Sequence, residues 1–321
     1  MRVVFMGTPE FAVATLDRIL QAGHDVVGVV TTPDKPAGRG QHLKFSDVKH
    51  YALGHGLALM QPEQLRDEQF IAQLQALKAD VFVVVAFRML PKEVYSIPKK
   101  GTFNVHASLL PQYRGAAPIQ WAILNGEQKT GVTTFFLDEH TDTGAIIRQS
   151  EVLISPTDTG GTLHDKLMEA GASIAVQTLN DIENGTVRAV PQTGTTDLKP
   201  APKLFKDDML IRWDDTAEHI HDKIRGLSPY PTAFTRIQSK PTTGDEPQKT
   251  FNIKIYQASV TDLPSTSAPG TITIENNKKM LISSKNREIS IEILQFEGKK
   301  QMNIVDFLAG FRKNNYTELL F

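Results

Sequence analysis

The strongest candidates for chemistry are Asn104 and His106, two residues apart in the run TFNVHA. Residues i and i+2 of a β-strand share one face, so both side chains would point the same way and Val105 the opposite way. The amide of Asn104 can donate to a developing oxyanion, and His106 can donate to it or carry a proton. The pair therefore favours acyl transfer; the alternative is a polar pair hydrogen-bonded at a strand end.

Ser108, Leu109, Leu110 and Pro111 follow the polar pair directly. We expect Pro111 to end the strand and the two leucines to form an apolar wall beside the polar side chains. A serine hydrolase triad built on Ser108 and His106 is not favoured, because no G-x-S-x-G turn presents the serine hydroxyl.

A second polar cluster, DEHTDTG, spans residues 138–144 at the end of a predicted strand. Asp142 is the best candidate there to accept a hydrogen bond from His106, orient its ring and favour its charged form. The alternative, an Asx-turn, is equally compatible with the spacing. A metal site formed by His106, His140 and Asp142 lacks the usual ligand spacing, so no metal is expected.

Arg39 lies in a long segment, TTPDKPAGRGQHLKF, that shows no periodicity and is predicted to be a loop. Together with Lys35, Lys44 and Lys49 it gives this loop a positive edge. Most basic loops are simply solvated, but long ordered loops inside a domain are often functional.

The residues around these candidates alternate between strand and helix patterns. Strands are predicted over residues 3–5, 24–30, 81–86, 102–107 and 132–137, and helices over 11–20, 70–78, 114–124 and 163–182. This order predicts an α/β fold with a doubly wound, Rossmann-like parallel sheet, whose carboxyl strand ends bind ligands. The first turn, GTPEF, lacks the G-x-G-x-x-G fingerprint and argues against a dinucleotide cofactor.

The pattern of alternating strands and helices ends at about residue 190. Residues 191–206 contain three prolines and no periodicity, which indicates a linker between a domain at 1–190 and a second domain at 207–321. A helix is predicted over 216–225. The short alternating runs after it predict a small OB-like β-barrel.

Composition narrows the class of protein. The 321 residues are 40% hydrophobic and 22% charged, with a net charge of −1. The absence of cysteine excludes disulfides, thiolate metal sites and cysteine nucleophiles. No apolar run is long enough to span a membrane, and the N-terminus is unlike a signal peptide, so we expect a cytoplasmic protein without a membrane partner. A monomer is expected, although no sequence feature specifies the oligomeric state.

Four segments resemble the methionyl-tRNA formyltransferase family, part of the 10-formyltetrahydrofolate-dependent formyltransferase superfamily. They are FMGTPEFAV, TTPDKPAGRG, FNVHASLLPQYRGAAPIQWAILNG and HTDTGAIIRQ. The similarity continues through the linker into KLFKDDMLIRWDDTAEHIHDKIRGLSPYPTAF and covers essentially the whole chain.

The resemblance implies transfer of a formyl group from 10-formyltetrahydrofolate to the α-amine of methionine on charged initiator tRNA. It implies that Asn104, His106 and Asp142 are the catalytic residues and that residues 108–111 bind folate. It also implies that Arg39 grips the acceptor end of the tRNA, and that the C-terminal part makes further tRNA contacts.

Two positions depart from the family pattern. Ala107 stands where many members have glycine, and Arg88 stands where glycine is expected, in a segment, 86–91, that looks one residue shorter. Contacts to the pterin ring are therefore not predicted. The alternative functions are an N-formyltransferase acting on nucleotide-linked amino sugars, a dinucleotide-binding protein and a non-catalytic tRNA-binding protein.

Overall fold

The computed structural model describes residues 1–37, 42–193, 197–240 and 248–321. The chain divides into two units. The N-terminal unit comprises Met1–Pro118, Lys129–Leu153 and His164–Pro202, and the C-terminal unit comprises Ile119–Gln128, Ile154–Leu163 and Lys203–Phe321. Two short stretches that lie between segments of the N-terminal unit therefore belong to the C-terminal unit.

The N-terminal unit contains the strands of the first half of the chain. They are β1 (Arg2–Gly7), β2 (Asp25–Val30), β3 (Lys35–Ala37), β4 (His42–Lys44), β5 (Leu59–Met60), β6 (Val81–Val85), β7 (Thr102–His106), β8 (Lys129–Phe136) and β9 (Ile146–Leu153). Seven of these strands form one sheet in the order β5-β2-β1-β6-β7-β8-β9, while β3 and β4 pair as a separate hairpin.

The sheet is parallel from β5 to β7 and antiparallel at β8 and β9. The predicted doubly wound α/β fold is confirmed, with two antiparallel strands added at one edge. A short connection can join β8 to β9 because they run in opposite directions, whereas parallel neighbours need a crossover.

The helices described in both units are α1 (Glu10–Gln21), α2 (Asp47–Gly54), α3 (Glu68–Ala76), α4 (Lys92–Tyr95), α5 (Pro118–Leu124), α6 (Gly160–Asn184), α7 (Ala217–Gly226) and α8 (Ile304–Gly310). Several begin at a side-chain cap. Ser46 accepts from the backbone N–H of Lys49, and Asp67 from that of Phe70. Such caps satisfy donors that the first helical turn leaves open.

The centre of the N-terminal sheet is covered on both faces. All five residues of β6, VFVVV, are buried, as expected for a strand between two layers of helices. Helix α6 approaches β7 closely at Gly171, where a Cβ atom would lie 3.3 Å from both Val105 and Phe11. This contact fixes the face of β7 that carries Val105 against α6, so Asn104 and His106 lie on the other face.

The C-terminal unit contains β10 (Ala233–Ser239), β11 (Thr250–Pro264), β12 (Ile272–Glu275), β13 (Lys279–Ser283), β14 (Arg287–Phe296), β15 (Met302–Asn303) and β16 (Tyr316–Leu320). They form an antiparallel sheet in the order β12-β13-β14-β11-β10-β16, with β15 beside β14, and the sheet curls into a half-barrel. The predicted second, β-rich OB-like part of the fold is confirmed in this form.

The core of the C-terminal unit surrounds Trp213. This side chain is fully buried, and its indole Nε1–H donates to Thr235 Oγ1 at 3.0 Å. Helix α7 contributes Ile220 and Ile224 to the same core. Arg225, near the end of α7, donates to the carbonyl oxygen of Asp158 at 2.9 Å and so ties residues 154–163 to this unit.

Two segments that sequence patterns predicted to be irregular have defined partners. The basic loop after β2 contains the β3–β4 hairpin and leads into α2, neither of which was predicted. In the segment predicted to be a linker, Lys199 and Ala201 form backbone hydrogen bonds with Tyr113 and Arg114. These bonds hold residues 113–115 in a non-helical conformation, so α5 starts at Pro118 rather than at the predicted residue 114.

Candidate active site

Strand β7 places the two polar candidates on one face at its carboxyl end. Asn104 pairs with Val84 of β6 and Phe135 of β8, and His106 is the last residue of the strand, opposite Thr133. The carboxyl ends of parallel strands are where open α/β sheets bind ligands. The site is therefore at the edge that this fold favours.

A hydrogen bond to the His106 ring fixes its tautomer. Its Nε2 lies 2.9 Å from the carbonyl oxygen of Tyr113. Because a carbonyl oxygen only accepts, Nε2 must carry the hydrogen, and this bond leaves Nδ1 as the other ring nitrogen. The imidazole is buried, with 7% of its side chain exposed.

Asp142 faces this free nitrogen. Its Oδ2 lies 3.9 Å from His106 Nδ1, and its side chain is 13% exposed. The spacing is that of an ion pair when His106 is protonated, and it is longer than the hydrogen bond predicted from the sequence. Instead, Oδ2 accepts a hydrogen bond from the backbone N–H of Gly115 at 3.0 Å.

The loops that meet at this point have unusual backbone geometry. Tyr113 (φ 60°) and Asp142 (φ 55°) are both in the left-handed region, which costs energy for residues other than glycine. Gly115 has φ 127°, and a Cβ atom there would overlap the carbonyl oxygen of Ala201. Only glycine can therefore present its N–H to Asp142 while packing against the 199–201 segment.

Asn104 keeps its side chain available. It is partly exposed, and across the residues the structure describes, no hydrogen bond to its amide group is found. A free amide donor on the same strand face as His106 can stabilise negative charge on a bound carbonyl oxygen.

The loop of residues 108–111 is fixed by neighbouring strands. Thr133 Oγ1 donates to the carbonyl oxygen of Ser108 at 2.6 Å and accepts from the N–H of Leu110 at 3.1 Å. Gln149 Nε2 donates to the carbonyl oxygen of Leu110 at 2.8 Å. The hydroxyl of Ser108 is buried and donates to the carbonyl oxygen of Gln112 at 2.7 Å, so it is not presented as a nucleophile.

The apolar side chains of this loop differ in their exposure to solvent. Leu110 is buried with 3% exposed, whereas Leu109 and Pro111 are only partly buried. Of the two leucines predicted to form an apolar wall, only Leu109 is therefore partly accessible.

Arg39 lies outside the described residues. Near β3, Lys49 Nζ lies 2.5 Å from Asp34 Oδ2, and Gln61 also donates to Asp34. The hydrogen bond from Lys49 lowers the pKa of Asp34, and this pairing neutralises one of the four cations that were expected to form a positive edge.

Arg88, which departs from the family pattern, is tied to a neighbouring loop. Its guanidinium donates to the carbonyl oxygens of Pro62 and Glu63 at 2.8 and 3.0 Å. Burial lowers its pKa, and its Nε has no hydrogen-bond partner among the residues described. The side chain therefore holds residues 62–63 and 88 together.

Several residues that support the site were not predicted from the sequence. Tyr113 contributes its backbone carbonyl, and Thr133 contributes a side-chain hydroxyl from a strand. Gln192 contributes its side-chain amide from the segment predicted to be a linker. None belongs to a local motif, so only the tertiary structure identifies them.

Across the described ranges, no group of three or more histidine or acidic side chains could hold a metal ion, and no helix there is long and apolar enough to cross a membrane.

The chain is similar to known proteins over nearly its full length. Residues 1–179 match the Formyl transferase family, and residues 203–312 match the Formyl transferase, C-terminal domain. It is 49% identical to the methionyl-tRNA formyltransferase of Flavobacterium johnsoniae, covering 97% of this chain and 96% of that protein. The protein of the same name from Parabacteroides distasonis is 47% identical, with coverages of 98% and 96%.

Solved structures share the fold at lower identity. An N-formyltransferase from Helicobacter canadensis, in complex with folinic acid and dTDP-3-aminofucose, is 22% identical and superposes with a TM-score of 0.62 over 90% of this chain and 98% of that one. HypX from Aquifex aeolicus, in complex with tetrahydrofolic acid, gives 17% identity and a TM-score of 0.63 over 98% of this chain and 48% of that one. These matches show that the chain belongs to the formyl transferase family, alongside the methionyl-tRNA formyltransferases.

Proposed function

We propose that this protein transfers the formyl group of 10-formyltetrahydrofolate to the α-amine of methionine on charged initiator tRNA, a step of translation initiation. One observation carries the proposal. At the carboxyl end of β7, a free amide (Asn104) shares a strand face with an imidazole (His106) whose Nδ1 faces a carboxylate (Asp142). The relatives that share this chain's full length support the acceptor.

The three side chains have separate roles in the reaction. The amine nitrogen of methionine attacks the formyl carbon, a C–N bond forms, and the bond from that carbon to the folate nitrogen breaks. In between, the amide N–H of Asn104 and protonated Nδ1 of His106 donate to the tetrahedral oxyanion. Asp142 favours the charged imidazole, and the proton lost by the amine passes through water to the departing folate nitrogen.

The binding roles follow the same proposal. Residues 108–111 bind the formyl donor, which is a co-substrate, and no metal takes part. The loop that includes Arg39 and the C-terminal part of the chain bind the tRNA. In this view residues 1–190 supply the catalytic residues, 191–206 are the linker and 207–321 bind tRNA, in a cytoplasmic monomer; Ile119–Gln128 and Ile154–Leu163 pack with the C-terminal unit.

Substitution of Asn104 tests the mechanism. We expect Asn104→Ala to lower kcat by about 10²–10³-fold, because one oxyanion donor is lost. Asn104→Asp keeps the shape of the side chain but replaces the N–H donor with an acceptor, so it should be at least as slow. The measurement is formylation of charged initiator tRNA at saturating formyl donor. Turnover near the wild-type rate in both variants would remove Asn104 from the mechanism.

The acceptor is tested separately. The wild-type protein is assayed with charged initiator tRNA and with a nucleotide-linked amino sugar, using the same formyl donor. Formylation of the tRNA alone supports the proposal. Formylation of the sugar alone would instead support the amino-sugar N-formyltransferase.

A further inference from the structure

We infer that Gln192 is a positioning residue of the reaction, which acts through Asp142; the inference rests on the proposed function. Gln192 follows the catalytic part of the chain, at the start of the segment predicted to be a linker. Its side chain contacts the two loops that carry the groups around His106.

The orientation of the Gln192 amide is unambiguous. Its Oε1 accepts from Arg114 Nε at 3.1 Å and from Arg114 Nη2 at 2.6 Å. Its Nε2 donates to the carbonyl oxygens of Asp142 at 3.0 Å and Gly144 at 2.8 Å. Arginine only donates and a carbonyl oxygen only accepts, so a rotated amide would lose these bonds.

These bonds connect the loop after β7 to the loop after β8. Arg114 lies between Tyr113, whose carbonyl holds His106 Nε2, and Gly115, whose N–H holds Asp142 Oδ2. Gln192 is thus tied to the residue between these two anchors and to the backbone of Asp142 itself. It therefore sets where the Asp142 carboxylate lies relative to His106 Nδ1.

The position of Asp142 needs such support, because its backbone is in the left-handed region. A conformation of this kind persists only where surrounding contacts determine it. Without Gln192, two carbonyl oxygens of the loop and the guanidinium of Arg114 lose partners, and the loop can relax. A displacement of about 1 Å in a catalytic group can lower turnover by about 100-fold.

The test compares Gln192→Ala and Gln192→Glu with a matched control, Gln177→Ala. Glutamate keeps the acceptor for Arg114 but has no N–H to donate to the two carbonyl oxygens. Gln177 also accepts from an arginine, Arg148, but touches neither site loop. We expect both Gln192 variants to lower kcat by about 10- to 100-fold, with the KM for tRNA and for the formyl donor changed less than about threefold, and the control to stay at the wild-type rate.

A double-mutant cycle with Asp142→Asn tests whether Gln192 acts through Asp142. In the Asp142→Asn background, Gln192→Glu should change kcat by less than about twofold, because coupled residues are not additive. Multiplying effects, or a Gln192→Glu variant with wild-type kcat, would overturn the inference. If Asp142→Asn alone keeps wild-type turnover, the proposed role of Asp142 fails instead. If Gln192→Ala does not fold, as shown by thermal denaturation, Gln192→Glu decides alone.

Discussion

The site in the N-terminal unit and the core of the C-terminal unit depend on different kinds of contact. Around the site, the N-terminal unit buries His106, Ser108 and Thr133, each in a directional hydrogen bond. The core of the C-terminal unit is dominated by isoleucine around Trp213. Hydrogen bonds fix positions to a few tenths of an ångström, whereas apolar packing stabilises mainly through area and volume. Substitutions at the site should therefore change mainly turnover, and those in the core of the C-terminal unit should change mainly stability.

The largest expected effect lies in the apolar core. Trp213→Ala should reduce the free energy of unfolding by about 3–5 kcal/mol, because it removes a fully buried indole. Trp213→Phe keeps most of the apolar volume and should cost less. Denaturant unfolding measures both, and kcat per folded molecule should not change. A Trp213→Phe variant with normal stability but slow turnover would contradict the contrast between the units.

A smaller effect is expected at the loop that holds residues 108–111. Thr133→Val preserves shape but leaves the buried N–H of Leu110 and carbonyl oxygen of Ser108 without this partner. Unsatisfied groups of this kind cost about 1–3 kcal/mol, so kcat/KM for the formyl donor should fall about tenfold.

Thr134→Val is the matched control. Thr134 is the next residue of β8, is equally buried, and its hydroxyl bonds to that of Thr178 instead of to the site. It should lower stability but leave kcat/KM unchanged. Equal losses of kcat/KM in both variants would show that the threonines act only through general stability.

The smallest expected effect concerns pH. Burial, together with Arg225, lowers the pKa of His221 below its ordinary value of 6.5, while Asp222 and Glu292 partly oppose this. The unfolded chain then binds the proton more readily, so stability is lost as pH falls below 6.5 towards the lowered pKa. In His221→Gln, unfolding free energy measured at about pH 7 and about pH 5 should fall less than in the wild type. His219→Gln, on the exposed side of α7, should behave like the wild type.

The sequence predicted the parts of the site that are encoded locally. Period-two geometry was enough to put Asn104 and His106 on one face of a strand, and β7 contains both. The loop position of Asp142 was also predicted from its neighbours. The 3.9 Å separation from His106 was not, because it depends on the N–H of Gly115.

The supporting contacts could not be predicted because they join distant segments. The partner of His106 Nε2 is a backbone carbonyl, which every residue has. Gln192 lies 50 residues beyond Asp142 in a proline-containing segment without periodicity. The β3–β4 hairpin was missed for a related reason, since a three-residue strand rich in proline and lysine has no alternating pattern.

Residues 119–128 and 154–163 belong to the C-terminal unit, whereas the strands next to them in the chain belong to the N-terminal unit. This arrangement has a practical consequence for protein engineering. Cutting the polypeptide at residue 203 would release a fragment that lacks Ile119–Gln128 and Ile154–Leu163. Arg225 would lose its acceptor at Asp158, and the backbone of Gly226 would lose its neighbour Gly160. A single cut in the proline-containing segment would therefore not give two fragments that fold on their own. The C-terminal fragment would also need those two stretches grafted onto it.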